Sequence, residues 1–546
     1  MNRVRKETVH INLTRVYFYV LYKCTTSKFS FSRIHFVLLA LIANLLVSEL
    51  KMSFLLFSVM SRIYFKMKFT VITLLLLIFN YAKCESDKCF YYDDHPFPFF
   101  ASKTAYNYVS AKQNYTQPNC KTLQLWMLSR HGTRHPGRDT IHKILNLNEY
   151  KNNLTNNSSL CKEDFEAIKT WVFNLTEKDE NKLNNQGIND LSSLGLRLQS
   201  LYEDIFNQPY NPMTYSVLSS NKERSRDSAF YFLKSAFNVN VTDIPLINSD
   251  DKKINISKFE NKHDNEELKK FRCSIYVQEV VVSVSKILGL DRNLTFNIIK
   301  AMYDSCRFER SINLNSHPAW CAVFSQKDLE VLEYDEDLKY YYLNGYGNSY
   351  NERLGCPIVK DLMNNFKNKS QTQLGPKGVF YFGHSSNVFS AIVRLGFARD
   401  TIPLLSSNFN NMRDRKWKSS YLSPFASNLM AVLYECHGVK KVTFFVNEVP
   451  MTVEKYGCTL CPWELIENMF DPIISNSSCT FDENSKSICH IRINFFIQLE
   501  NYIFERFCEC SKMTKIWKLH KIIDYNLILY NNYIKIFYPQ ALMLRQ

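Results

Sequence analysis

The apolar positions of the chain fall into short runs and into longer stretches with helical spacing. Short apolar runs bounded by turn residues are typical of buried strands, and they occur at 122–129, 214–218, 378–382, 429–434 and 442–446. Apolar residues recur at helical spacing at 188–205, 225–237, 279–290 and 388–395, the last with Ser386 or Asn387 as its N-cap. Strands that alternate with helices predict an α/β fold, in which a sheet is flanked by helices and carries an inserted α-rich subdomain.

The same pattern suggests where the domain begins and ends. We expect one domain at 85–489, with its α/β core at about 85–140 and 371–489 and the α-rich insertion within about 141–370. The remaining stretch, 490–546, is rich in Ile, Tyr, Asn and Lys and shows no clear capping signals, so it stays unassigned.

The first 84 residues differ from the rest of the chain. Lys68 precedes an apolar run at 69–79 that is too short to span a bilayer, and the small residues Ala82 and Cys84 follow it. This order predicts a secretory signal peptide at 67–84. Residues 1–66 then become an upstream extension that is absent from the mature protein. The alternative is a membrane anchor through residues 36–60, and a membrane is expected as a partner only if that extension is retained.

The net charge of +15 invites comparison with nucleic-acid-binding proteins. The excess of Lys and Arg is concentrated in the first 66 residues and in the tail after residue 490, whereas the body between them is close to neutral. The body has no Lys/Arg stripe with interleaved aromatic residues and no groove-reading motif. We therefore expect no nucleic-acid partner.

Two further features favour the secretory pathway, with the protein secreted or held in the lumen of the endoplasmic reticulum. Asn-x-Ser/Thr sequons occur at Asn114, Asn153, Asn157, Asn174, Asn240, Asn255, Asn293, Asn368 and Asn476. The cysteines between Cys89 and Cys489 can pair in an oxidising compartment. The Cys458/Cys461 pair also has the spacing of a zinc knuckle, but no second pair or histidine pair accompanies it, so a disulfide is favoured. No metal or other cofactor is expected.

The strongest chemical signal follows the first predicted strand. Arg130, His131 and Arg134 come where the strand at 122–129 ends, and ligands of open α/β sheets bind outside the carboxyl ends of the strands. Two guanidiniums can hold phosphate oxygens, and a neutral imidazole between them can attack phosphorus. Gly132 permits close approach of the backbone to the anion. The competing interpretation is a basic loop that makes surface ion pairs.

Two other groups add to this signal. Arg224 and Arg226 open a predicted helix directly after a short strand, and helix N-termini favour anions. A solvated helix start is the ordinary explanation of such arginines. His384 follows the strand at 378–382 and could donate a hydrogen bond to a phosphoryl oxygen. A buried, satisfied histidine is the competing interpretation there.

Taken in this order, the three groups resemble the histidine acid phosphatase family and, within it, the multiple inositol polyphosphate phosphatases. The resemblance covers about 89–480 and is carried by the segments 102–106, 129–136, 219–230, 382–384, 423–429 and 458–463. It implies a histidine-phosphatase-like sheet and the removal of phosphates from inositol polyphosphates such as inositol hexakisphosphate.

The resemblance also implies roles for individual residues. His131 becomes the nucleophile that forms a phosphohistidine, with Arg130, Arg134 and Arg224 binding phosphate and His384 beside them. Arg224 is preferred to Arg226 because its spacing from the preceding serine pair matches the family pattern.

The sequence departs from the family at one position. A carboxylic acid follows the second histidine in the family and protonates the leaving alcohol, whereas His384 is followed here by Ser385 and Ser386. Ser386 holds the acid position in the register of the inositol polyphosphate branch, and Ser385 holds it in the register of the other relatives. General acid catalysis contributes about 10²–10⁴-fold, so we expect weakened turnover of alkyl phosphates with attack by His131 retained.

Other functions remain open at this stage. The same pocket would suit a general acid phosphatase or a 2,3-bisphosphoglycerate phosphatase. A different class of function is a catalytically weak or inactive protein that binds inositol phosphates. A phosphoglycerate mutase-like role is disfavoured because the signal peptide and sequons place the chain outside the cytosol.

Overall fold

A computed structural model describes residues 89–90, 99–111, 115–155, 157–239, 246–247 (backbone only) and 265–475. These residues lie in one compact unit that begins at Lys88. The predicted signal peptide at 67–84, the extension at 1–66 with its alternative anchor, and the tail at 490–546 lie outside the described residues.

A mixed sheet organises the described part of the chain. Its strands are β1 (Cys120–Arg130), β2 (Tyr215–Ser220), β3 (Leu246–Ile247), β4 (Gly378–Gly383), β5 (Asn428–Cys436), β6 (Val439–Val446), β7 (Val449–Met451) and β8 (Cys461–Pro462). The spatial order is β3-β2-β4-β1-β5-β6-β7, with β8 paired to β6. Strands β1 to β4 run parallel and β5 to β8 pair antiparallel. The five predicted strands are present as β1, β2, β4, β5 and β6, and the α/β prediction is confirmed.

Helices cover both faces of this sheet. They are α1 (Arg138–Leu145), α2 (Leu147–Asn152), α3 (Lys162–Thr170), α4 (Asn185–Leu201), α5 (Glu203–Phe206), α6 (Glu223–Phe237), α7 (Glu266–Arg272), α8 (Ile275–Ile287), α9 (Phe296–Ile312), α10 (Gln326–Asn344), α11 (Tyr350–Leu354), α12 (Cys356–Thr372), α13 (Ser385–Leu395), α14 (Ser419–Leu422) and α15 (Trp463–Ser475). Short 3-10 turns occur at Ala101–Lys103, Tyr106–Tyr108, Glu177–Asp179, Ala319–Val323 and Phe409–Met412. No described helix combines the length and apolarity that crossing a bilayer requires.

Three helix predictions need correction. The stretch 188–205 forms two helices, because Tyr202 leaves helical dihedrals (φ −125°, ψ 59°) between α4 and α5. The helix expected at 279–290 begins earlier and ends earlier, as α8. The N-cap of α13 is His384, so the assignment of Ser386 or Asn387 to that position was wrong. The Asn387 side chain instead accepts a hydrogen bond from the His384 N–H at 2.8 Å.

Strand register brings three chain segments to one edge of the sheet. Arg130 lies opposite Gly383 in the parallel pair of β1 and β4, and Ser219 lies opposite Phe382 in the parallel pair of β2 and β4. The carboxyl ends of β1, β2 and β4 therefore meet, and the residues that follow them face a common space.

Alternating side chains of the central strands build a core on each face of the sheet. Leu125 and Met127 of β1 pack with apolar residues of α4 and α6, whereas Trp126 and Leu128 pack toward the helices between α7 and α12. Strands β2 and β3 belong to the sheet although they fall within about 141–370, the range in which the α-rich insertion was expected. The domain boundaries themselves stay a prediction.

Disulfides join described cysteines in four pairs: Cys89–Cys161, Cys120–Cys436, Cys306–Cys321 and Cys458–Cys461. The last pair confirms the preference for a disulfide over a zinc knuckle. The Cys120–Cys436 bond joins β1 to β5 at the end of β1 that is remote from Arg130.

Candidate active site

His131 lies immediately after β1, with its side chain buried. Its Nδ1 lies 2.9 Å from the carbonyl oxygen of Gly132. Because a carbonyl oxygen only accepts hydrogen bonds, Nδ1 carries the proton in this arrangement, and the lone pair belongs to Nε2. His131 therefore presents a nucleophilic nitrogen away from its own backbone.

Backbone hydrogen bonds from two other strand ends hold this residue. The His131 N–H donates to the Gly383 carbonyl at 3.1 Å, and the His131 carbonyl accepts from the Ala426 N–H at 3.1 Å. The Arg130 N–H donates to the Ser427 carbonyl at 2.7 Å. The nucleophile is thus fixed between β4 and the segment that leads into β5.

The loop after His131 packs against the first turn of α4 without intervening side chains. A Cβ atom on Gly132 would lie 2.5 Å from the carbonyl oxygen of Gly187, and one on Gly187 would lie 2.1 Å from the carbonyl oxygen of Thr133. Both positions therefore require glycine. Asp190 of α4 adds to the contact, since it accepts hydrogen bonds from the Thr133 N–H at 3.0 Å and from its hydroxyl at 2.6 Å.

Arg130 is held from three sides. One terminal nitrogen, Nη1, donates to the carbonyl oxygens of Ser102 at 2.6 Å and Ser423 at 2.9 Å. The guanidinium carbon lies 4.6 Å from the centroid of the Phe425 ring, a cation–π contact. These contacts fix the orientation of the guanidinium beside His131.

The other two arginines come from the loop after β1 and from the start of α6. Arg134 donates to the His135 carbonyl at 2.7 Å, and its guanidinium lies 5.8 Å from the centroid of the Phe308 ring. Arg224 lies in the first turn of α6, which is tied to the nucleophile loop: the Ser228 hydroxyl donates to the Arg224 carbonyl at 2.6 Å and accepts from the Gly132 N–H at 3.0 Å. Arg226, the rejected candidate, is exposed.

The three guanidiniums form a cluster of positive charge in which Arg130 is buried and Arg134 and Arg224 are half-buried. Burial, and then repulsion from Arg224, lowers the pKa of Arg130 to about 10 and that of Arg134 to about 9. Within the described part of the chain none of the three pairs with a carboxylate, and the Nε atom of each is buried without a hydrogen-bond partner. Uncompensated buried charge is costly, so this pocket is suited to an anion with several oxygen acceptors.

A second histidine completes the site. The rings of His131 and His384 lie 5.7 Å apart between centroids, and Nε2 of His384 lies 3.1 Å from the Ser220 hydroxyl at the end of β2. Burial, followed by the charges of the three guanidiniums and His384, holds the pKa of His131 well below its usual value of 6.5. The imidazole therefore stays neutral, and so nucleophilic, under mildly acidic conditions.

This electrostatic effect can be measured by NMR titration of the His131 ring protons. We expect the midpoint to lie below pH 6.5 in the wild-type protein. In Arg224→Gln it should move upward, because one nearby positive charge no longer opposes protonation. Arg226→Gln is the matched control, since Arg226 is exposed on the same helical turn. An unchanged midpoint in Arg224→Gln would contradict the arrangement of charges described above.

The serines at the expected acid position lie in the first turn of α13. Ser386 is buried, with 6% of its surface exposed, and its hydroxyl has no hydrogen-bond partner, whereas Ser385 is half-buried. A hydroxyl is a poor proton donor at neutral pH compared with a carboxylic acid.

Sequence reasoning missed several residues that line the site. The Lys103 ammonium lies 5.7 Å from the centroid of the Phe308 ring, which also makes the cation–π contact with Arg134. Burial, and then repulsion from Arg307, lowers the pKa of Lys103 well below its usual value. Lys103 lies in a segment already singled out for its resemblance, but Phe308 and Arg307 come from α9, and no local pattern marks them as site residues.

Among the described residues, one group of three side chains brings metal-ligating atoms within reach of one another. It consists of Cys89, Cys161 and Glu163, and the two sulfurs form a disulfide.

Comparisons with known proteins place this geometry in context. A model of the histidine phosphatase superfamily (branch 2) matches residues 123–448. The chain is 32% identical to Multiple inositol polyphosphate phosphatase 1 of Drosophila melanogaster, over 71% of this chain and 89% of that protein. The crystal structure of the phytase from D. castellii matches with a TM-score of 0.58 at 16% identity, covering 70% of this chain and 86% of that chain. The multiple inositol polyphosphate phosphatase of Bifidobacterium longum, in complex with inositol hexasulfate, matches with a TM-score of 0.53 at 12% identity, covering 71% of this chain and 99% of that chain.

Proposed function

Because the chain belongs to the histidine phosphatase superfamily (branch 2), among the multiple inositol polyphosphate phosphatases, we propose that it removes phosphates from inositol polyphosphates through a phosphohistidine on His131. The observation that carries the proposal is the cluster of Arg130, Arg134 and Arg224, whose Nε atoms are buried without hydrogen-bond partners. None of the three pairs with a carboxylate among the described residues, and the His131 imidazole lies beside them with its pKa held below the usual value. An oligoanionic substrate such as inositol hexakisphosphate supplies the missing negative charge.

The reaction has two steps. Nε2 of His131 attacks phosphorus, an N–P bond forms, and the P–O bond to the inositol oxygen breaks. Water then attacks the phosphohistidine, the N–P bond breaks, and inorganic phosphate leaves with the oxygen of that water. The guanidiniums hold the phosphoryl oxygens in both steps and stabilise the charge that develops on them. The chemistry requires no metal.

The departing inositol oxygen must also receive a proton. With Ser385 and Ser386 in the first turn of α13, no carboxylic acid at this position can supply it. A neighbouring phosphate of the same substrate has a second pKa of about 6 and can donate its proton to that oxygen. We therefore propose substrate-assisted protonation, which favours polyphosphorylated substrates over simple alkyl phosphates.

A side-by-side assay of 4-nitrophenyl phosphate, glycerol phosphate and inositol hexakisphosphate tests this proposal. The aryl ester needs little protonation of its leaving group, so it should be cleaved. Inositol hexakisphosphate should be cleaved faster than glycerol phosphate, by about the 10²–10⁴-fold that general acid catalysis contributes. Equal rates on all three esters would show that another group donates the proton. No hydrolysis of any ester would overturn the enzymatic proposal.

The unpaired Ser386 hydroxyl and the cationic cluster also favour a second candidate, a protein that binds inositol phosphates with little turnover. Calorimetric titration with inositol hexakisphosphate distinguishes this candidate: tight binding without phosphate release supports it. A third alternative is a general phosphatase. Adding 2,3-bisphosphoglycerate to the side-by-side hydrolysis assay described above tests it.

We further propose that the protein passes through the secretory pathway. The described sequon asparagines Asn153, Asn157, Asn174, Asn293 and Asn368 are all exposed, and the disulfides are compatible with an oxidising compartment. Asn114, Asn240, Asn255 and Asn476 lie outside the described residues.

Protein secreted from a eukaryotic host should therefore lose mass on treatment with peptide-N-glycosidase. Asn→Gln replacement at Asn174 or Asn368 should remove one glycan each, as measured by intact mass. Asn364→Gln, an exposed position on the same helix as Asn368 but outside any sequon, should leave the mass of the glycans unchanged. The absence of glycans from all five described sequon asparagines would contradict passage through the secretory pathway.

A further inference from the structure

Two buried carboxylates on α10, remote in sequence from the predicted site, are hydrogen-bonded to segments that adjoin Arg130. Glu333 and Asp337 are one helical turn apart, and within the described ranges both form their ion pair with Arg415. The Arg415 Nε donates to Asp337 at 2.7 Å, and its Nη2 donates to Glu333 at 2.8 Å. Burial, and then the charge of Asp337, raises the pKa of Glu333. Two carboxylates that share one cation are costly to bury, which points to a role beyond stability.

Each carboxylate holds a different backbone segment. Asp337 accepts from the Ser419 N–H at 2.7 Å and from the Ser419 hydroxyl, and so caps the start of α14. Glu333 accepts from the Ser420 hydroxyl, which in turn accepts from the Ala101 N–H at 2.8 Å. The pair thereby connects α14 to the turn Ala101–Lys103.

These two segments carry the carbonyl groups that hold Arg130. Ser102 belongs to the turn Ala101–Lys103, and Ser423 directly follows α14. Both carbonyls accept from the same Nη1 atom of Arg130, at 2.6 and 2.9 Å. The segments are also joined by a hydrogen bond from the Phe425 N–H to the Thr104 carbonyl at 3.1 Å, and the Phe425 ring lies against the guanidinium.

We infer that Glu333 and Asp337, acting through Ser420 and Ser419, are positioning residues that set the orientation of the Arg130 guanidinium for phosphate binding. The inference rests on the proposed function, because it takes Arg130 as a phosphate ligand. Loss of the links lets the two carbonyl groups separate, and Arg130 then loses the geometry that lets it hold a phosphoryl oxygen beside His131.

Calorimetric titration with inorganic phosphate, together with thermal unfolding, tests this inference on the full chain. Ser420→Ala removes the link from Glu333 to the Ala101 N–H with little change in volume. We expect its Kd for phosphate to rise about tenfold, which is the usual scale for one hydrogen bond to a charged group. Asp337→Asn, which leaves Arg415 with one carboxylate, should weaken phosphate binding to a similar extent and serves as the second variant if Ser420→Ala does not fold.

Ser285→Ala is the matched control. The Ser285 hydroxyl is also buried, donates to the Val281 carbonyl at 2.6 Å and accepts from the Leu294 N–H at 2.9 Å. It should lower the unfolding temperature without changing the Kd for phosphate. A wild-type Kd in Ser420→Ala and Asp337→Asn would overturn the inference, and so would an equal loss of affinity in Ser285→Ala.

Arg130→Ala separates this inference from the proposed function. If Arg130→Ala weakens phosphate binding and Ser420→Ala does not, the positioning role fails while the phosphate pocket stands. If Arg130→Ala binds phosphate as tightly as the wild type, the proposed pocket itself fails, and the positioning role fails with it.

Discussion

Replacement of His131 by alanine is expected to lower turnover of an aryl phosphate by about 10⁴–10⁶-fold, the range seen when a nucleophile is removed from a covalent mechanism. The loss is large because no other described group at the site can replace the attacking Nε2: His384 is engaged with the Ser220 hydroxyl, and guanidiniums are not nucleophiles at neutral pH. The phosphate ligands stay in place, so the variant should still bind inorganic phosphate.

Trapping the intermediate makes the result specific. Wild-type protein incubated with labelled aryl phosphate and quenched in alkali should retain label on one histidine, since phosphohistidine survives alkali and is lost in acid. His131→Ala should retain none. His142→Ala, at an exposed histidine that pairs with Glu177, should be labelled like the wild type. Label that persists in His131→Ala would assign the nucleophile to a different residue.

Introduction of a carboxylic acid at Ser386 is expected to raise the hydrolysis of glycerol phosphate by about 10²–10⁴-fold. The Ser386 hydroxyl is buried without a hydrogen-bond partner in the first turn of the helix that begins beside His384. Burial raises the pKa of a carboxyl group, although the helix N-terminus and nearby guanidiniums oppose this effect. We expect glutamic acid at this position to donate its proton to the leaving oxygen.

The control and the substrate pattern identify the cause. Ser386→Glu should change the hydrolysis of 4-nitrophenyl phosphate little, because nitrophenolate leaves without a proton. Ser385→Glu tests the other register, and the half-buried Ser385 differs from Ser386 by one position in the same turn. A gain in Ser385→Glu alone would transfer the acid position to residue 385. No gain in either variant would mean that the present protein already has an effective proton donor.

Much of the fold was accessible from the sequence because its signals are local. The five predicted strands are short apolar runs with turn residues beside them, and the strand before Arg130 and the strand before His384 both end within one residue of the expected position. Parallel pairing then places the residues after those strands side by side. The family resemblance, confirmed by the comparisons, depended on the same segments.

Other parts of the site depend on contacts that no spacing encodes. The Phe308 ring makes cation–π contacts with both Arg134 and Lys103, although Phe308 belongs to α9, far from both residues in sequence. Glu333 and Asp337 look like ordinary acidic residues of a charged helix, and their burial follows from the tertiary packing of α10. The break at Tyr202 and the N-cap at His384 were missed because residue preferences favour Ser, Thr, Asp or Asn at an N-cap, whereas tyrosine and histidine hold these two positions.

The contact between Gly132 and Gly187 has a consequence for the thermodynamics of ligand binding. Because the backbone of the nucleophile loop lies directly on α4 and is hydrogen-bonded to two other strand ends, the loop is held in place when the site is empty. Binding of an anion should therefore order few additional residues, so little of the interaction energy is lost to conformational entropy. The affinity of the site then depends chiefly on how well the ligand matches the positions and charges of groups that are held in place before it arrives.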